Sequence, residues 1–550
     1  MTRSRSDPPP DPPKKARPLR AGLRSATKGR EPVLTLAVVA DAASNVRALS
    51  AVLARAKRGA NAIVVLGGSF AVGPRPRATL RRLTSVPAIV LDEGKPADEL
   101  GAFVRSGLTS ADLELVARFP RELVFELAGV RVLATLQLPE AIDEAGIDEV
   151  LAARQVSVIL SSSGPARIVK AQHGIFVAPG SAGRGCPRGS FATVRISRRV
   201  DASIEQVPTP IRKLPREIRK IARKHEELAP ALEAYLLRWI EEVEEPVLKA
   251  TTTGADLALA VLGPRLREVY GAAVRPWPSG PELVDWVHDV RVASRRLREG
   301  LALLEPILGK RGERAKERVS SFGQLLGARR AADVLVEHAT KAERHHPDAA
   351  VVFAAVRGHA EALRAQAFAA LLDGFPQERA LDDAFAILDV AMRAGSDFDL
   401  RWLATRHLAR RLAEALDQLG AIDDPVSASS HHELRIRLKR LRYTVEILRS
   451  VFPSADQVAS LKHIQDDLGE KHDLEELRAG LNDPALAFAA EAMARAREIL
   501  DAKILEHFEA AGLMIREEGP ELFGRLGRLL TSLERGAARR TKRFNAPVEH

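Results

Sequence analysis

The sequence predicts a multidomain protein, an N-terminal α/β domain followed by a C-terminal all-α domain of two similar helical bundles. Three observations predict it. Between residues 32 and 205, short β-branched runs alternate with helical stretches. From about 209 to 545 strand signals vanish, and Ala/Leu/Arg/Glu-rich segments with helical periodicity take over. Within that second region two helix-length motifs recur in the same order at nearly the same spacing.

The chain of 550 residues is long enough for two to four domains at about 150 residues each. Its 46% hydrophobic and 28% charged residues suit soluble globular units with sizeable cores. The one cysteine, Cys186, excludes a disulfide framework and any multi-cysteine metal site, and fits a cytoplasmic location. No apolar run approaches membrane-spanning length, so no membrane association is expected. The N-terminus opens on Arg3, Arg5 and a proline cluster, which does not read as a signal peptide.

Net charge is +11, but it is unevenly placed. Residues 1–30 carry 9 Lys/Arg against 2 Asp, a net of +7. Residues 31–205 carry 21 basic and 17 acidic side chains, and residues 206–550 carry 53 of each. Most of the excess therefore lies in the low-complexity Pro/Lys/Arg tail of residues 1–31, expected to be disordered, where weak contact with nucleic acid is the one partner it suggests. A polyanion site in the second half must come from segregating charge onto one surface.

The elements read in order as follows. VLTLAVVA (33–40), AIVVLGG (62–68), VPAIVLD (86–92), GVRVLATL (129–136), VSVIL (156–160) and GIFVAP (174–179) are strands ending at turn signals. Helical spacing fills 46–58 and 142–153. Residues 209–245 read as a helix whose basic start and acidic end oppose its dipole, so it is expected to pair with the α domain or with a partner. Helix breaks are expected at 275–281, 344–348, 374–377 and 421–430.

VHDVRVASRRLREGLALL (287–304) aligns with HHELRIRLKRLRYTVEIL (431–448) at an offset of 144. LGARRAADVL (326–335) aligns with LGEKHDLEEL (468–477) at an offset of 142. On a helix, His288, Arg291, Arg295 and Arg298 fall within an arc of roughly 80°. His432, Arg435, Lys439 and Arg442 do the same, with Arg296 and Arg440 to one side of each ridge. Val290, Val292, Leu297 and Leu301, and Leu434, Ile436, Leu438 and Leu441, supply the buried stripes. Like charges at i,i+3 and i,i+4 repel by a few tenths of a kcal/mol, roughly, per pair. Such a ridge needs either an anion or carboxylates from other helices, among which Asp333, Asp466 and Asp473 stand ready. Each histidine alternatively caps or packs near a helix start.

These motifs, HDVRVASRRLR (288–298), HELRIRLKRLRY (432–443) and IQDDLGEKHDLEEL (464–477), resemble the CHAD family, the conserved histidine α-helical domain. The likeness runs over roughly 250–545. It implies two bundles about a pseudo-twofold axis, with basic residues lining a central groove and inorganic polyphosphate as partner. The implied binding set is His288, Arg291, Arg295, Arg298, His432, Arg435, Lys439, Arg440 and Arg442, extended by Arg296, Arg330, Arg437, Lys462 and His472. The chain departs from the family at Ala331, where Asp usually follows Arg330, and at His472, where Arg is usual. The family's role further implies association with polyphosphate granules. Neither a GxxxxGK phosphate loop nor a Mg²⁺-type carboxylate cluster accompanies the ridges, so no catalysis and no cofactor are expected.

Residues 33–200 resemble calcineurin-like metallophosphoesterases in motif order: VVADAASNVRAL (38–49), IVVLGG (63–68), VPAIVLDEGK (86–95), GVRVLATLQ (129–137), SSSGPARIV (161–169) and IFVAPGSAGR (175–184). The resemblance implies a sandwich of two sheets. A two-metal hydrolase needs His, Asp and Asn ligands. Asp41 and Asn45 remain, but the other ligand positions hold Ala43, Gly68, Glu93, Leu136, Ser162 and Gly164. The fold is thus expected without its metal chemistry, the alternative being a realigned site using Asp41, Asp92 or Glu93. His173 reads as an exposed loop residue. The 179–184 turn, with Arg184 and Arg188, is either a phosphate-binding nest or only a tight turn. Two other functions stay open: a metal-dependent phosphohydrolase acting on polyphosphate, and a nucleic-acid-binding protein. An oligomer is equally compatible with the sequence.

Overall fold

The structure, a computed structural model, describes residues 33–544 apart from 71–72, 93–98, 140, 163, 184–187, 198, 244–245, 247–252, 396–399, 420–427, 450–457 and 483–489. The basic tail, Glu93, Arg184 and Cys186 lie outside the described residues.

Alternating apolar residues in the first half build two sheets. In chain order the elements are β1 (Leu34–Ala40), α1 (Val46–Ala56), β2 (Ala62–Leu66), α2 (Pro76–Thr84), β3 (Ala88–Leu91), α3 (Glu99–Ser106), α4 (Ser110–Val116), β4 (Glu122–Leu127), β5 (Val130–Thr135), α5 (Glu144–Arg154), β6 (Val158–Ser161), β7 (Arg167–Lys170), β8 (Ile175–Ala178), β9 (Arg188–Ile196) and β10 (Val200–Pro208). One sheet runs β10-β9-β1-β2-β3 and the other β4-β5-β6-β8-β7. Inward residues of both sheets, among them Val38, Val64, Val132, Leu160, Val177 and Val194, form one core between them. Leu49 and Leu53 of α1, Leu80 of α2 and Val116 of α4 cover the outer face of the first sheet. Ile147 and Leu151 of α5 cover the second. The result is a helix–sheet–sheet–helix sandwich: the alternation predicted an α/β layered domain, and the resemblance implied its two sheets.

Four strands were not read from the sequence: β4, β7, β9 and β10. β4, β7 and β10 are edge strands with polar residues among the apolar ones, and β9, inside its sheet and largely buried, has its apolar run interrupted by Gly189, Ser190, Thr193 and Arg195. β10, for instance, alternates through Asp201, Ser203 and Glu205.

The second half contains α6 (Leu214–Ala222), α7 (Ala229–Glu241), α8 (Gly254–Leu266), α9 (Pro281–Leu303), α10 (Glu305–His345), α11 (Ala350–Gly374), α12 (Gln377–Met392), α13 (Leu400–Leu419), α14 (Ala428–Arg449), α15 (Val458–Gly480), α16 (Ala490–Glu517) and α17 (Gly519–Phe544). The expected single helix over 209–245 is in fact two, separated by a short 3-10 turn at Glu226–Leu228. Pro230 sits in the first turn of α7, where its missing N–H costs nothing. The breaks at 275–281, 344–348 and 374–377 stand between helices. The break at 421–430 is shorter, because α14 begins at Ala428.

Part of the basic stretch that opens residues 209–245 is paired with the helical half. Arg219 pairs with Asp382 at 2.8 Å and Arg223 with Glu378 at 3.3 Å, both partners on α12. Trp239 of α7 is buried with Phe385 of α12 in the same core as α8 to α15. Arg188 of β9 reaches Asp256 of α8 at 2.5 Å, and Arg47 of α1 reaches Glu217 of α6 at 2.6 Å. Among the described residues no helix is long and apolar enough to cross a membrane.

Candidate functional site

The repeated motifs fall on α9 and α14, and the companion motifs on α10 and α15. Val290, Leu297 and Leu301, with Leu434, Leu438 and Leu441, are buried as the stripe required. Val292 departs from that reading. It is half-buried and lines the groove between the ridges. Ile436 is also only half-buried.

Burying one stripe of each helix turns the two cationic ridges into a common groove with two lobes. The first lobe, of about 990 Å³, is lined by His288, Arg295, Arg296, Arg435, Lys439, Arg442 and Lys462. The second, of about 760 Å³, is lined by His288, Arg291, Arg295, Arg330, His432, Arg435, Lys439 and His472. His288, Arg295, Arg435 and Lys439 belong to both. Three predicted residues are not brought into either lobe. Arg437 is turned away, pairing with Glu433 at 2.7 Å and Glu414 at 3.7 Å. Arg298 and Arg440 neighbour one another beyond the groove walls, close enough that Arg440 lowers the pKa of Arg298 after burial and Arg295 have done so.

The first lobe is balanced, with Glu268, Asp289, Glu446, Asp466, Glu470 and Asp473 beside its six Lys/Arg, whereas the second has only Asp473 and Glu476 against Arg291, Arg295, Arg330, Arg435 and Lys439. Arg291 is held down to about 9, first by burial and then by Arg295 and Arg435. Lys439 is held down to about 6 by burial and by the same crowding, from Arg435 and Arg295. Burial and Arg435 bring His472 down to about 3, so it is neutral near pH 7 and adds no charge there. His288 is also lowered, by desolvation and Arg330. The His432 and His472 rings lie 4.5 Å apart. Arg291 Nε and Arg435 Nε are buried and lack hydrogen-bond partners among the described residues.

The carboxylates proposed as partners divide. Asp473 approaches Arg435 at 3.7 Å. Asp333 instead serves Arg329 at 3.0 Å, and Asp466 is exposed at the groove edge. The counterpart of Asp473 in the first copy is Ala331, so Arg291 lacks the carboxylate that Arg435 has. The repeat is nonetheless deep: the buried pair Arg329–Asp333 recurs as Lys471–Glu475 at the same offset of 142.

Several residues went unread in the sequence. Glu446 bridges the ridges, taking Arg296 at 2.8 Å and Arg442 at 3.4 Å. Gln465 lines the first lobe while buried, and its amide atoms have no partner among the described residues. Behind the groove, Glu299 accepts from Arg411 through both oxygens, at 2.6 and 3.0 Å, and from the Thr444 hydroxyl at 3.1 Å. His407 Nε2 lies 2.6 Å from the same carboxylate. Against the desolvation of burial, these partners hold Glu299 down to about 2. Charged residues inside an apolar stripe were the only signal for this network.

His338, Glu470 and Asp473 bring ligand atoms within 4.8 Å of one another, and they are the set among the described residues able to share a metal ion.

The α/β half does not fit two metals. A β-carbon on Gly68 would stand 2.6 Å from Asp41 Oδ1 and 2.8 Å from its Cα. Gly68 also has φ +63°, so no side chain is accommodated where a metal-binding Asp would be needed. Ala43 and Leu136 offer no donor atom, and Asp92 is engaged by the buried Arg105. Ala43 and Ser44 both adopt φ 50°, a strained region for non-glycine residues. In the 179–184 turn, the Ala182 and Gly183 N–H groups donate to Ala40 and Asp41 carbonyls, and Arg188 is ion-paired. Those donors are spent inside the fold, which favours the tight-turn reading. His173 is an exposed loop residue, as read, its ring 2.7 Å from Asp148.

The family model for the CHAD domain matches residues 260–482. No curated protein matches the chain. Among solved structures, the CHAD domain from the plant Ricinus communis is 24% identical, over 50% of this chain and 96% of that one, with a TM-score of 0.40. A conserved uncharacterized protein of Streptococcus pneumoniae TIGR4, described as a predicted phosphoesterase, is 17% identical over 33% of this chain and 95% of its own, with a TM-score of 0.23. Chaetomium thermophilum Vps29 is 14% identical over 32% and 96%, with a TM-score of 0.20.

Proposed function

We propose that this chain, whose residues 260–482 match the CHAD-domain family model, binds inorganic polyphosphate in the groove between α9 and α14, without catalysis. One observation carries the reading. Arg291, Arg295, Arg330, Arg435 and Lys439 converge on one lobe of the groove, where Asp473 and Glu476 are the two carboxylates in the lining. Burial first, and then repulsion from the neighbouring guanidiniums, holds Lys439 down to about 6 and Arg291 to about 9. A phosphate chain entering there relieves that repulsion, and Arg forks grip its oxygens in pairs. Polyphosphate offers no bases to read, so a fixed row of cations is the appropriate receptor. Aromatic residues are 4% of the chain, and Tyr443 is the one aromatic among the candidate motifs, which weighs against base stacking and nucleic acid. The misfit of the α/β half to a metal pair supports a binding role over hydrolysis there. Attachment to polyphosphate granules follows from the same affinity.

The test is a titration of the full chain with long-chain polyphosphate, with duplex DNA as competitor, across a salt series. The comparison is the variant with Arg291, Arg295, Arg435 and Lys439 all changed to Ala. Tight binding that resists DNA, weakens with salt and disappears in the variant is expected. Binding that DNA abolishes and the variant keeps would move the activity to the N-terminal tail. Metal-dependent phosphate release lost on Asp41→Ala would establish the hydrolase instead.

A further inference from the structure

A second cationic cavity, of about 310 Å³, lies where the α/β half meets the helical half. Helix α10 contributes Arg311, Arg314 and Arg318 to it. The segment leading into α6 contributes Arg212 and Lys213. Arg47 enters from α1 and Arg393 from the end of α12. The one carboxylate in the lining is Asp389.

This cavity is separate from the ridge groove. At 3.6 residues per turn, Arg311, Arg314 and Arg318 lie about 140–200° around α10 from Gly327, which faces Arg291. They therefore occupy the opposite side of that helix.

Three of the cations are already paired. Arg47 meets Glu217, Arg318 meets Asp383, and Arg393 meets Asp389 at 3.0 Å. Arg212, Lys213, Arg311 and Arg314 have no carboxylate at ion-pair distance among the described residues, and all four are exposed. Glu313 and Glu317 share α10 but do not line the cavity. Arg311 and Arg314 are like charges at i,i+3, which disfavours the helix unless an anion lies between them.

The concavity, the unpaired charge and the origin of the cations in separate chain segments point the same way. We propose that this cavity is a second anion site, taking a compact molecule with two or three phosphate groups and tying the α/β half to the helical half. The volume, about 310 Å³, is about a third of the 990 Å³ of the first groove lobe. That is room for a triphosphate and not for a long polymer. Guanidinium forks from α10 and the α6 approach hold its oxygens bidentately, while Lys213 acts as a point charge.

The experiment titrates the full chain with inorganic triphosphate. It uses the ridge variant (Arg291, Arg295, Arg435 and Lys439 to Ala), so that failure of the ridge reading and failure of this one are separable. The ridge variant is expected to bind one triphosphate per chain. Adding Arg311→Gln and Arg314→Gln is expected to weaken that binding about tenfold or more. In the ridge variant, triphosphate is also expected to slow tryptic cleavage at Arg212 and Lys213, and the added pair of changes to remove this protection. Loss of all triphosphate binding in the ridge variant overturns the proposal, as does undiminished binding after Arg311→Gln and Arg314→Gln. Cleavage at Arg212 and Lys213 that triphosphate leaves unchanged overturns the tie between the halves.

Discussion

Arg291 lies against Gly327: a β-carbon at that glycine would stand 3.3 Å from Nη2 of the guanidinium and 3.5 Å from Nε. The repeat reproduces the relationship, with Gly469 beneath Arg435 at 3.8 Å. A glycine inside a helix costs about 0.5–1 kcal/mol relative to Ala. Here it lets a buried arginine lie flat on the neighbouring helix and point into the groove.

Gly327→Ala therefore separates stability from binding. Helix propensity predicts an unchanged or higher Tm. The tight approach to Arg291 predicts weaker polyphosphate binding, and Gly327→Val a larger loss. Thermal melting and the polyphosphate titration, run on the same preparations, check both halves of this expectation.

Lys439 should make binding proton-linked. With its pKa held at about 6, it is largely neutral at pH 7.5 in the free protein. A bound polyanion restores its charge, so the complex takes up about one proton at that pH by the linkage relation. Calorimetry in two buffers of different ionisation enthalpy measures the uptake. Lys439→Met abolishes it. The same residue predicts that stability of the free protein rises from about pH 6 toward the ordinary lysine value near 10.4, because the unfolded chain binds the extra proton throughout that window. Lys439→Met flattens this rise.

Glu299 anchors Arg411, His407 and Thr444 beneath the groove. Glu299→Ala leaves a buried guanidinium without its main partner and is expected to cost about 3–5 kcal/mol in denaturant unfolding. Its carboxyl is held at about 2, below the unfolded value near 4.3. The stabilisation is complete above about pH 4.3 and is lost as pH falls toward 2. Acid titration of the wild type and Glu299→Gln should diverge in that window.

Gly68→Asp replaces the missing ligand type without restoring a metal site. The new β-carbon meets Asp41 at 2.6 Å and the backbone has a positive φ. The expected result is a lower Tm, with no metal-dependent gain in thermal stability.

Particular elements show how much the sequence disclosed. β1, β2 and β8 were legible because they are short continuous apolar runs buried on both faces. β9 and β10 were not, since they form an antiparallel pair whose register comes from partners distant in sequence. The ridge residues were legible from period and repetition alone. Arg437 sits between ridge positions in sequence; its pairing with Glu433 at 2.7 Å is an i,i+4 contact that spacing allows, but its approach to Glu414 of α13 at 3.7 Å is one that spacing cannot foretell.

By itself the sequence determined a strand-and-helix half, a helical half built from a repeated motif, and two cationic ridges. Those are properties of local period, and local period fixes which face of an element is apolar. Only the tertiary structure decided that the ridges converge on one groove, that Asp473 meets Arg435 while Arg291 has no counterpart, and that Asp41 fills the space at Gly68. It also gathered Arg212, Arg311 and Arg314 into a second cavity from segments about 100 residues apart. Charge meets charge across space, and the chain separation of two cations says nothing about that distance.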